Sequence, residues 1–310
     1  MRDIKVVFMG TPDFAVPILD SLIKNTNVVL VVSQPDKKVG RKQEIVSTPV
    51  KKVAEENGIE VFQPNKIRED YERIISLKPD LIVTCAYGQI IPKAILDCPR
   101  LGCINVHASL LPKLRGGAPI HHAIIDDYKE TGITIMYMDE RMDSGDIISQ
   151  ERIVIEEDAM LGVLHDKLSI IGAKLLINTL PSIIDGTNDR ISQDLSEVTY
   201  GYNITREEEH LDFNGLVKDI YNQVRGLNPW PLANMMIDNQ EIKVIECNYK
   251  EKVVEDVSRV VEITKDAIGI TASDGIIYVT KIKPFGKGIM ATRDYLNGVK
   301  KENLIGKLVE

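Results

Sequence analysis

The chain of 310 residues has few cysteines, few aromatic residues and no long hydrophobic run. Its four cysteines show neither a CxxC pair nor zinc-finger spacing, so we expect reduced thiols rather than a disulfide framework or a metal site: Cys85, Cys98, Cys103 and Cys247. The longest aliphatic run, residues 28–32, is far shorter than the roughly 20 residues of a membrane-spanning helix. An acid and a second base, Asp3 and Lys5, stand where a secretory signal builds its apolar core. We therefore expect a cytosolic protein that does not cross a membrane.

Basic residues are outnumbered over the whole chain, with 38 lysines and arginines against 46 acids and a formal net charge of −8. Nothing in this overall balance suggests a protein that coats nucleic acid. Two windows are nevertheless basic. The first contains Lys37, Lys38, Arg41, Lys42, Lys51 and Lys52, and the second contains Lys281, Lys283, Lys287, Arg293, Lys300 and Lys301. Each window is either a solvated face or a surface for a localised anionic partner.

The first two thirds of the chain alternate strand-like and helix-like segments. Short apolar runs occur at 4–9, 28–32, 80–85, 102–106, 132–138 and 146–155, and helical spacing at 14–24, 50–56 and 161–184. Short strands that alternate with helices predict right-handed crossovers and an α/β fold with a mostly parallel sheet. Ligands of such sheets bind beyond the carboxyl ends of the strands.

The last third of the chain has a different pattern. Residues 192–209 are polar and aperiodic, which predicts a linker between a first domain at 1–191 and a second at 210–310. The second domain opens with helical spacing at 216–224 and continues with short runs at 241–246, 260–263, 267–271 and 276–282. Several short strands separated by turns predict a small antiparallel sheet or barrel.

Candidate catalytic residues lie where the strand at 102–106 ends. Asn105 and His107 are two residues apart, so they point to the same side at the rim of the sheet. An asparagine amide donates hydrogen bonds without carrying charge, and a histidine gives or takes a proton near neutral pH. The pair therefore suits a reaction in which an oxyanion develops and a proton moves, although a loop cap would use the same residue types.

A carboxylate follows the next strand, in the turn Met142-Asp143-Ser144-Gly145-Asp146. Aspartate commonly caps such a turn through its own backbone. The sheet topology, however, returns Asp143 to the neighbourhood of Asn105, where a carboxylate could orient His107 or hold a water that relays a proton.

The stretch 105–119, together with 142–146, resembles the motif of enzymes that transfer a formyl group from 10-formyltetrahydrofolate to an amine. More narrowly, the whole chain is similar to the methionyl-tRNA formyltransferase family. Four further stretches support that resemblance: Phe8 to Ala15, Gln34 to Lys51, Ala86 to Pro92, and Val224-Arg225 with Asn228-Pro229-Trp230-Pro231. The resemblance implies a Rossmann-like catalytic domain followed by an OB-like β-barrel.

The resemblance also implies roles for individual residues. Asn105, His107 and Asp143 match the catalytic set, which needs no metal. Contacts to the folate are implied for Ser109, Leu110, Leu111 and Pro112, and a pterin pocket for the backbone of Gln89, Ile90 and Ile91. The implied acceptor is methionyl-initiator tRNA. Contacts to it are expected from Arg41 and Lys42 in a mobile loop, and from Lys281, Lys283, Lys287 and Arg293 in the second domain. We expect the protein to act as a monomer.

Two segments depart from the family pattern. Gln43 and Glu44 follow Lys42 where the family has glycine and lysines, and Asn203 stands where it has a lysine. Both changes bear on the strength of tRNA contact rather than on formyl transfer.

Other functions remain alternatives at this point. An enzyme that formylates an amino sugar nucleotide or a purine precursor would share the Asn105 to Asp143 set. A dinucleotide-binding dehydrogenase fits less well, because Gly10-Thr11-Pro12-Asp13 is not GxGxxG. A non-catalytic tRNA-binding protein would have no need of an intact catalytic set.

Overall fold

A computed structural model describes residues 1–40 and 43–310. The chain forms two compact units. The first comprises residues 1–119, 130–154 and 165–202, and the second comprises 120–129, 155–164 and 203–310. Arg41 and Lys42, predicted to contact tRNA, lie outside the described residues.

The strands of the first unit are short, and those at the centre of its main sheet are mostly buried. They are β1 Lys5–Gly10, β2 Asn27–Val32, β3 Lys37–Val39, β4 Glu44–Val46, β5 Val61–Phe62, β6 Leu81–Cys85, β7 Cys103–His107, β8 Glu130–Tyr137 and β9 Ile147–Val154. The main sheet has the order β5-β2-β1-β6-β7-β8-β9, while β3 and β4 pair only with each other. β5, β2, β1, β6 and β7 are parallel neighbours, and β8 and β9 join antiparallel. The prediction of a mostly parallel α/β sheet is confirmed.

Helices fill the crossovers and continue into the second unit: α1 Val16–Asn25, α2 Pro49–Glu56, α3 Glu72–Ser76, α4 Lys93–Leu96, α5 Pro119–Ile125, α6 Leu161–Asp185, α7 Val217–Gly226 and α8 Thr292–Leu296. α2 begins at a proline and its first turn is capped by the Thr48 hydroxyl, which accepts a hydrogen bond from the Lys51 amide. Helical spacing buries Ile18, Leu19 and Leu22 on α1.

α6 is long and apolar enough to span a membrane by length and composition, with a mean hydropathy of 1.4 over its most apolar window. Half of that window is buried within the protein. Leu168, Leu176 and Leu180 have no exposed surface, as in the core helix of a folded domain. The expectation that the chain does not cross a membrane stays a prediction.

The second unit is built on an antiparallel sheet. Its strands are β10 Ala233–Ile237, β11 Gln240–Glu251, β12 Val260–Ile263, β13 Ile268–Ala272, β14 Gly275–Pro284 and β15 Met290–Ala291. The order is β10-β11-β14-β13-β12, with β15 beside β14. Val309 bridges Ile237 at the end of β10, and Leu308 bridges Arg259 next to β12. The last residues thus link the two edges of the sheet, as a barrel requires.

The polar segment predicted as a linker contains a single turn of 3-10 helix, Leu195–Glu197, and residues 192–202 belong to the first unit. Its backbone pairs with the loop after β7, since the Arg115 amide donates to the Thr199 carbonyl at 2.9 Å. Residues 120–129 and 155–164 cluster with the second unit rather than the first. The boundaries at 191 and 210 stay predictions.

Candidate active site

Asn105 lies on β7 opposite Thr84 of β6. The Thr84 hydroxyl lies 2.9 Å from Asn105 Oδ1 and 3.2 Å from the Ile104 carbonyl oxygen. When the hydroxyl donates to Oδ1, the amide nitrogen of the half-buried Asn105 is left to donate elsewhere. The arrangement therefore presents a neutral hydrogen-bond donor at the sheet rim.

His107 ends β7 and its side chain is only 6% exposed. Its Nε2 lies 3.0 Å from the Leu114 carbonyl oxygen. A carbonyl oxygen only accepts, so Nε2 carries the proton and Nδ1 holds the lone pair in neutral His107. Nδ1 faces Asp143 Oδ2 at 3.8 Å, which is too long for a hydrogen bond but close enough for an ion pair after protonation. The geometry makes Nδ1 a proton acceptor.

Asp143 is held by the loop that follows β7. Its Oδ2 accepts a hydrogen bond from the Gly116 amide at 2.8 Å. The Asp143 backbone is left-handed, with φ of 49°, in the tight turn that the sequence suggested. A Cβ at Gly145 would lie 2.0 Å from the Tyr137 carbonyl oxygen, so only glycine fits there. The structure thus brings Asp143 to His107, as the topology predicted.

Gln193 supports the Asp143 turn from the segment predicted as a linker. Its Nε2 donates to the carbonyl oxygens of Asp143 at 2.9 Å and Gly145 at 2.8 Å. Its Oε1 accepts from Nε and Nη2 of Arg115, a residue only 5% exposed. No local signal in the sequence marks Gln193, because its partners lie 48, 50 and 78 residues away along the chain.

The predicted folate-contacting loop, Ser109 to Pro112, is fixed by β8 and β9. The Thr134 hydroxyl donates to the Ser109 carbonyl oxygen, and Gln150 Nε2 donates to the Leu111 carbonyl oxygen at 2.9 Å. The Leu111-Pro112 peptide is cis. Ser109 is fully buried and its hydroxyl donates to the Lys113 carbonyl oxygen, so this side chain shapes the turn.

The predicted pterin-lining segment, Gln89 to Ile91, follows β6. Gln89 points its amide inward, where Oε1 accepts from the Ile67 amide at 2.8 Å. Ile90 is 88% exposed, whereas Ile91 is buried. Within the described ranges, no hydrogen bond involves the backbone of residues 89–91. The backbone donors and acceptors of this segment are therefore not used within the described residues.

A cavity of about 500 Å³ borders the Asp143 turn within the first unit. It is lined by polar groups from α4 and from the turn, together with apolar and basic neighbours: Lys93, Leu96, Asp97, Arg115, Met138, Asp139, Glu140, Arg141, Ser144 and Leu195. Its size is in the range of small-molecule sites.

The first basic window is divided between β3, which carries Lys37 and Lys38, and α2, which carries Lys51 and Lys52. Lys51 Nζ lies 2.6 Å from Asp36 Oδ2, and Gln63 donates to Asp36 Oδ1 at 2.8 Å. The Lys51 ammonium and the Gln63 amide hold the pKa of Asp36 below its usual value. Gln43 has a left-handed backbone and Glu44 is exposed.

The second basic window is open to solvent. Lys281 pairs with Glu246 at 2.8 Å, and Arg293 lies 3.6 Å from the adjacent Asp294. Lys283 and Lys287 are exposed, and neither has a carboxylate partner in the part of the chain that the structure describes. Their charge is therefore available to an anionic partner.

The cysteines are free thiols, as expected. Burial raises the pKa of Cys247 to about 12 and raises the pKa of Cys85 and Cys103 as well. These thiols are poor nucleophiles. Over residues 1–40 and 43–310, no group of three or more His, Cys, Asp or Glu side chains could hold a metal ion.

Both halves of the chain match known protein families. The family "Formyl transferase" matches residues 4–180, and "Formyl transferase, C-terminal domain" matches residues 203–300. The methionyl-tRNA formyltransferase of Staphylococcus epidermidis is 49% identical over 308 residues, covering 98% of this chain and 99% of the relative. The chain belongs to the methionyl-tRNA formyltransferase family. The resemblance inferred from the motifs is confirmed.

Another methionyl-tRNA formyltransferase, from Bacillus cytotoxicus, is 51% identical over 307 residues, with 96% of this chain and 97% of the relative covered. Among solved structures, the N-formyltransferase of Helicobacter canadensis, in complex with folinic acid and dTDP-3-aminofucose, superposes with a TM-score of 0.68. The superposition covers 91% of this chain and all of the Helicobacter canadensis chain, and the two sequences are 20% identical. HypX of Aquifex aeolicus, in complex with tetrahydrofolic acid, covers 94% of this chain and 47% of its own at 15% identity, with a TM-score of 0.63. These structures share the fold of the methionyl-tRNA formyltransferase family member described here.

Proposed function

We propose that this protein transfers the formyl group of 10-formyltetrahydrofolate to the α-amino group of methionyl-initiator tRNA, giving N-formylmethionyl-tRNA for translation initiation. One observation carries the proposal. Asn105, His107 and Asp143 meet at the sheet rim in a chain that matches methionyl-tRNA formyltransferases over 98% of its length.

The residues around the rim fit a folate donor. A pterin ring offers a row of donors and acceptors along one edge, and the backbone of residues 89–91, whose donors and acceptors are not used within the described residues, can pair with such a row. The rigid turn at 109–112 and the cavity beside Asp143 provide walls for the remainder of the donor. We assign Gln89, Ile90 and Ile91 to the pterin and Leu110, Leu111 and Pro112 to the wall. Ser109 contributes through the shape of its turn.

We assign the oxyanion to Asn105. The amine of the acceptor attacks the formyl carbon, and the formyl oxygen becomes negative as a tetrahedral intermediate forms. A donor placed in advance stabilises this charge without reorganisation at the moment of reaction. The Asn105 amide nitrogen has that role, because Thr84 occupies the amide oxygen.

We assign the transfer of the proton from the amine to His107. The attacking amine must lose a proton, and Nδ1 of neutral His107 is the acceptor that the hydrogen bond to Leu114 leaves open. Asp143, 3.8 Å away, stabilises the imidazolium ion that results. His107 then returns a proton to the folate nitrogen as the C–N bond of the donor breaks.

The acceptor is bound through its phosphates. Lys283, Lys287 and Arg293 are exposed in an otherwise acidic chain and supply a localised positive surface. Lys281 and Arg293 lie beside Glu246 and Asp294, so they contribute less to this surface than Lys283 and Lys287 do. Arg41 and Lys42, which lie outside the described residues, are proposed to contact the acceptor end.

A formylation assay with three acceptors tests the proposal. Purified protein and 10-formyltetrahydrofolate are mixed with methionyl-initiator tRNA, methionyl-elongator tRNA or an amino sugar nucleotide, beside Asn105→Ala as control. We expect the initiator to be preferred and the activity to disappear in the variant. Formylation of the sugar nucleotide alone would contradict the proposed acceptor.

The alternative acceptors, an amino sugar nucleotide or a purine precursor, are not favoured. The relatives at about 50% identity are methionyl-tRNA formyltransferases, whereas the sugar N-formyltransferases share only the fold at about 20% identity. The cytosolic location and the monomeric state stay predictions from the sequence.

A further inference from the structure

The loop that follows β7, residues 108–118, is here called the catalytic loop. Residues 199–202 form a strap along it, within the first unit. The Arg115 amide donates to the Thr199 carbonyl oxygen at 2.9 Å, and the Gly201 amide donates to the Arg115 carbonyl oxygen at 2.8 Å. The Ala118 amide then donates to the Gly201 carbonyl oxygen at 2.9 Å. A Cβ at Gly116 would lie 2.7 Å from that same oxygen, so the approach requires glycine. The strap is therefore fixed to the loop.

Two tyrosines of the strap form an aromatic surface. The rings of Tyr200 and Tyr202 are stacked, with centroids 5.2 Å apart and planes 4° from parallel. Tyr200 is 46% exposed and Tyr202 is 57% exposed. Their spacing of two residues in an extended segment places both rings on one side. This stacked pair is here called the tyrosine platform.

The tyrosine platform is joined to the catalytic set by few bonds. Tyr200 bridges Arg115, and the amide of the next residue, Gly116, donates to the Asp143 carboxylate at 2.8 Å. The tyrosine platform is therefore anchored to the loop that holds the Asp143 carboxylate. The acceptor amine belongs to an amino acid esterified to the terminal nucleotide of tRNA, and that end is single-stranded.

We propose that the tyrosine platform binds an unpaired base of the single-stranded 3′ end of aminoacyl-tRNA by stacking. This inference rests on the proposed function and names a contact for its acceptor. Single-stranded bases are commonly held on exposed aromatic side chains, because each base has a face that can stack. A flat, exposed aromatic pair tied to the catalytic loop matches that chemistry and adds no charge.

The test measures acceptor and donor affinity separately. The KM for methionyl-tRNA and the KM for 10-formyltetrahydrofolate are determined for the wild-type chain, for the double variant Tyr200→Ala/Tyr202→Ala, and for Tyr200→Phe/Tyr202→Phe. Tyr249→Ala is the matched control, because Tyr249 is also partly exposed and also lies beside a second tyrosine. The ring centroids of Tyr249 and Tyr221 are 5.4 Å apart. Thermal unfolding of each variant establishes that it is folded.

We expect the alanine pair to raise the KM for methionyl-tRNA about 5- to 30-fold, the loss of about one stacked base. The KM for the donor should stay within about twofold, and the phenylalanine pair and Tyr249→Ala should resemble wild type. A second readout uses a tRNA that carries the fluorescent base 2-aminopurine in its single-stranded 3′ end. The wild-type chain should quench the fluorescence of that base, and the alanine pair should quench it less.

An unchanged acceptor KM and unchanged quenching in the alanine pair would overturn the stacking proposal while leaving formylation intact. A rise in the donor KM instead would overturn it too, because the platform would then contact the folate. A wild-type chain that fails to formylate methionyl-tRNA would overturn the proposed function itself, which the first assay detects before any variant is compared.

Discussion

The catalytic set and the second basic window differ in how firmly the protein holds their side chains. His107 and Asp143 are 6% and 16% exposed and contact the loop after β7, which is fixed in turn by Gln193. Lys283 and Lys287, by contrast, are exposed on and beside the end of β14. Bond formation depends on placement to within about half an ångström, whereas charge attracts phosphate over roughly 8 Å at physiological salt. Substitutions in the catalytic set should therefore lower kcat, whereas substitutions in the second basic window should raise the KM for tRNA.

Loss of the proton acceptor should cause the largest effect. In His107→Gln the side-chain amide can still donate to the Leu114 carbonyl oxygen, but it cannot take a proton. We expect kcat for formyl transfer to fall by roughly 10²- to 10⁴-fold with little change in the melting temperature. Single-turnover kinetics at saturating substrate concentrations measure the change in the rate of formyl transfer. Near-normal kcat would remove His107 from the chemistry.

Loss of the oxyanion donor should come next. Asn105→Ala removes the amide that Thr84 orients and should lower kcat by roughly 10²- to 10³-fold. The KM for methionyl-tRNA should change little, since the hydrogen bond strengthens only in the transition state. Steady-state kinetics with varied tRNA check the prediction. A rise in KM at constant kcat would make Asn105 a binding residue.

A substitution behind the site should reduce stability. Gln193→Leu removes both donations to the Asp143 turn and the acceptor of the buried Arg115 guanidinium. Unpaired buried polar groups cost about 1–3 kcal/mol each, so the free energy of unfolding should fall by at least about that amount. Urea denaturation measures the change, with Gln193→Glu as the conservative comparison because its carboxylate still accepts from Arg115. An unaltered midpoint for the leucine variant would mean that solvent replaces these bonds.

Removal of surface charge should act on tRNA binding alone. Lys283→Ala/Lys287→Ala should raise the KM for methionyl-tRNA several-fold and reduce the salt dependence of binding by about one to two in log–log slope. Binding titrations between about 50 and 200 mM salt measure that slope. Lys307→Ala, which removes a lysine already paired with Asp238, is the matched control. If the salt-dependence slopes of wild type, the lysine pair and Lys307→Ala are equal, Lys283 and Lys287 do not contact the phosphates of tRNA.

The smallest effect concerns pH. The pKa of Asp36 is lowered by Lys51 and Gln63, so its stabilising contribution is full above the unfolded value near 3.9 and disappears as pH falls through the lower folded value. Asp36→Asn should therefore be less stable than wild type at pH 7, and the gap should narrow below about pH 4. Urea denaturation at both pH values tests this. A gap of constant size would show that Asp36 acts through packing alone.

The sequence predicted β7 and β14 because apolar and β-branched residues predominate in them. β7 and β14 begin and end within two residues of their predicted bounds. β10, with the sequence ANMMI, was not predicted because it lacks β-branched alternation and follows two prolines. The charged strands β3 and β4 were also missed, since their hairpin depends on pairing rather than on burial.

At the site, Asn105 and His107 were predictable from their position on one strand, and Asp143 from the topology of the sheet. The supporting residues were not. Thr84, Leu114 and Gln193 act through a single hydroxyl, a backbone carbonyl and an isolated amide, none of which has a local signature. Long-range hydrogen bonds of this kind leave no periodic pattern, so only the folded chain reveals which side chains fix the catalytic set.

The most direct test compares the two regions at saturating substrates. The single-turnover rate of formyl transfer is measured for wild type, His107→Gln and Lys283→Ala/Lys287→Ala, with methionyl-tRNA raised until each rate is constant. We expect the histidine variant to remain slower by roughly two or more orders of magnitude, while the lysine pair recovers to within about twofold of wild type. A lysine pair that stays slow at saturation, or a histidine variant that recovers, would contradict the separation of chemistry from tRNA binding.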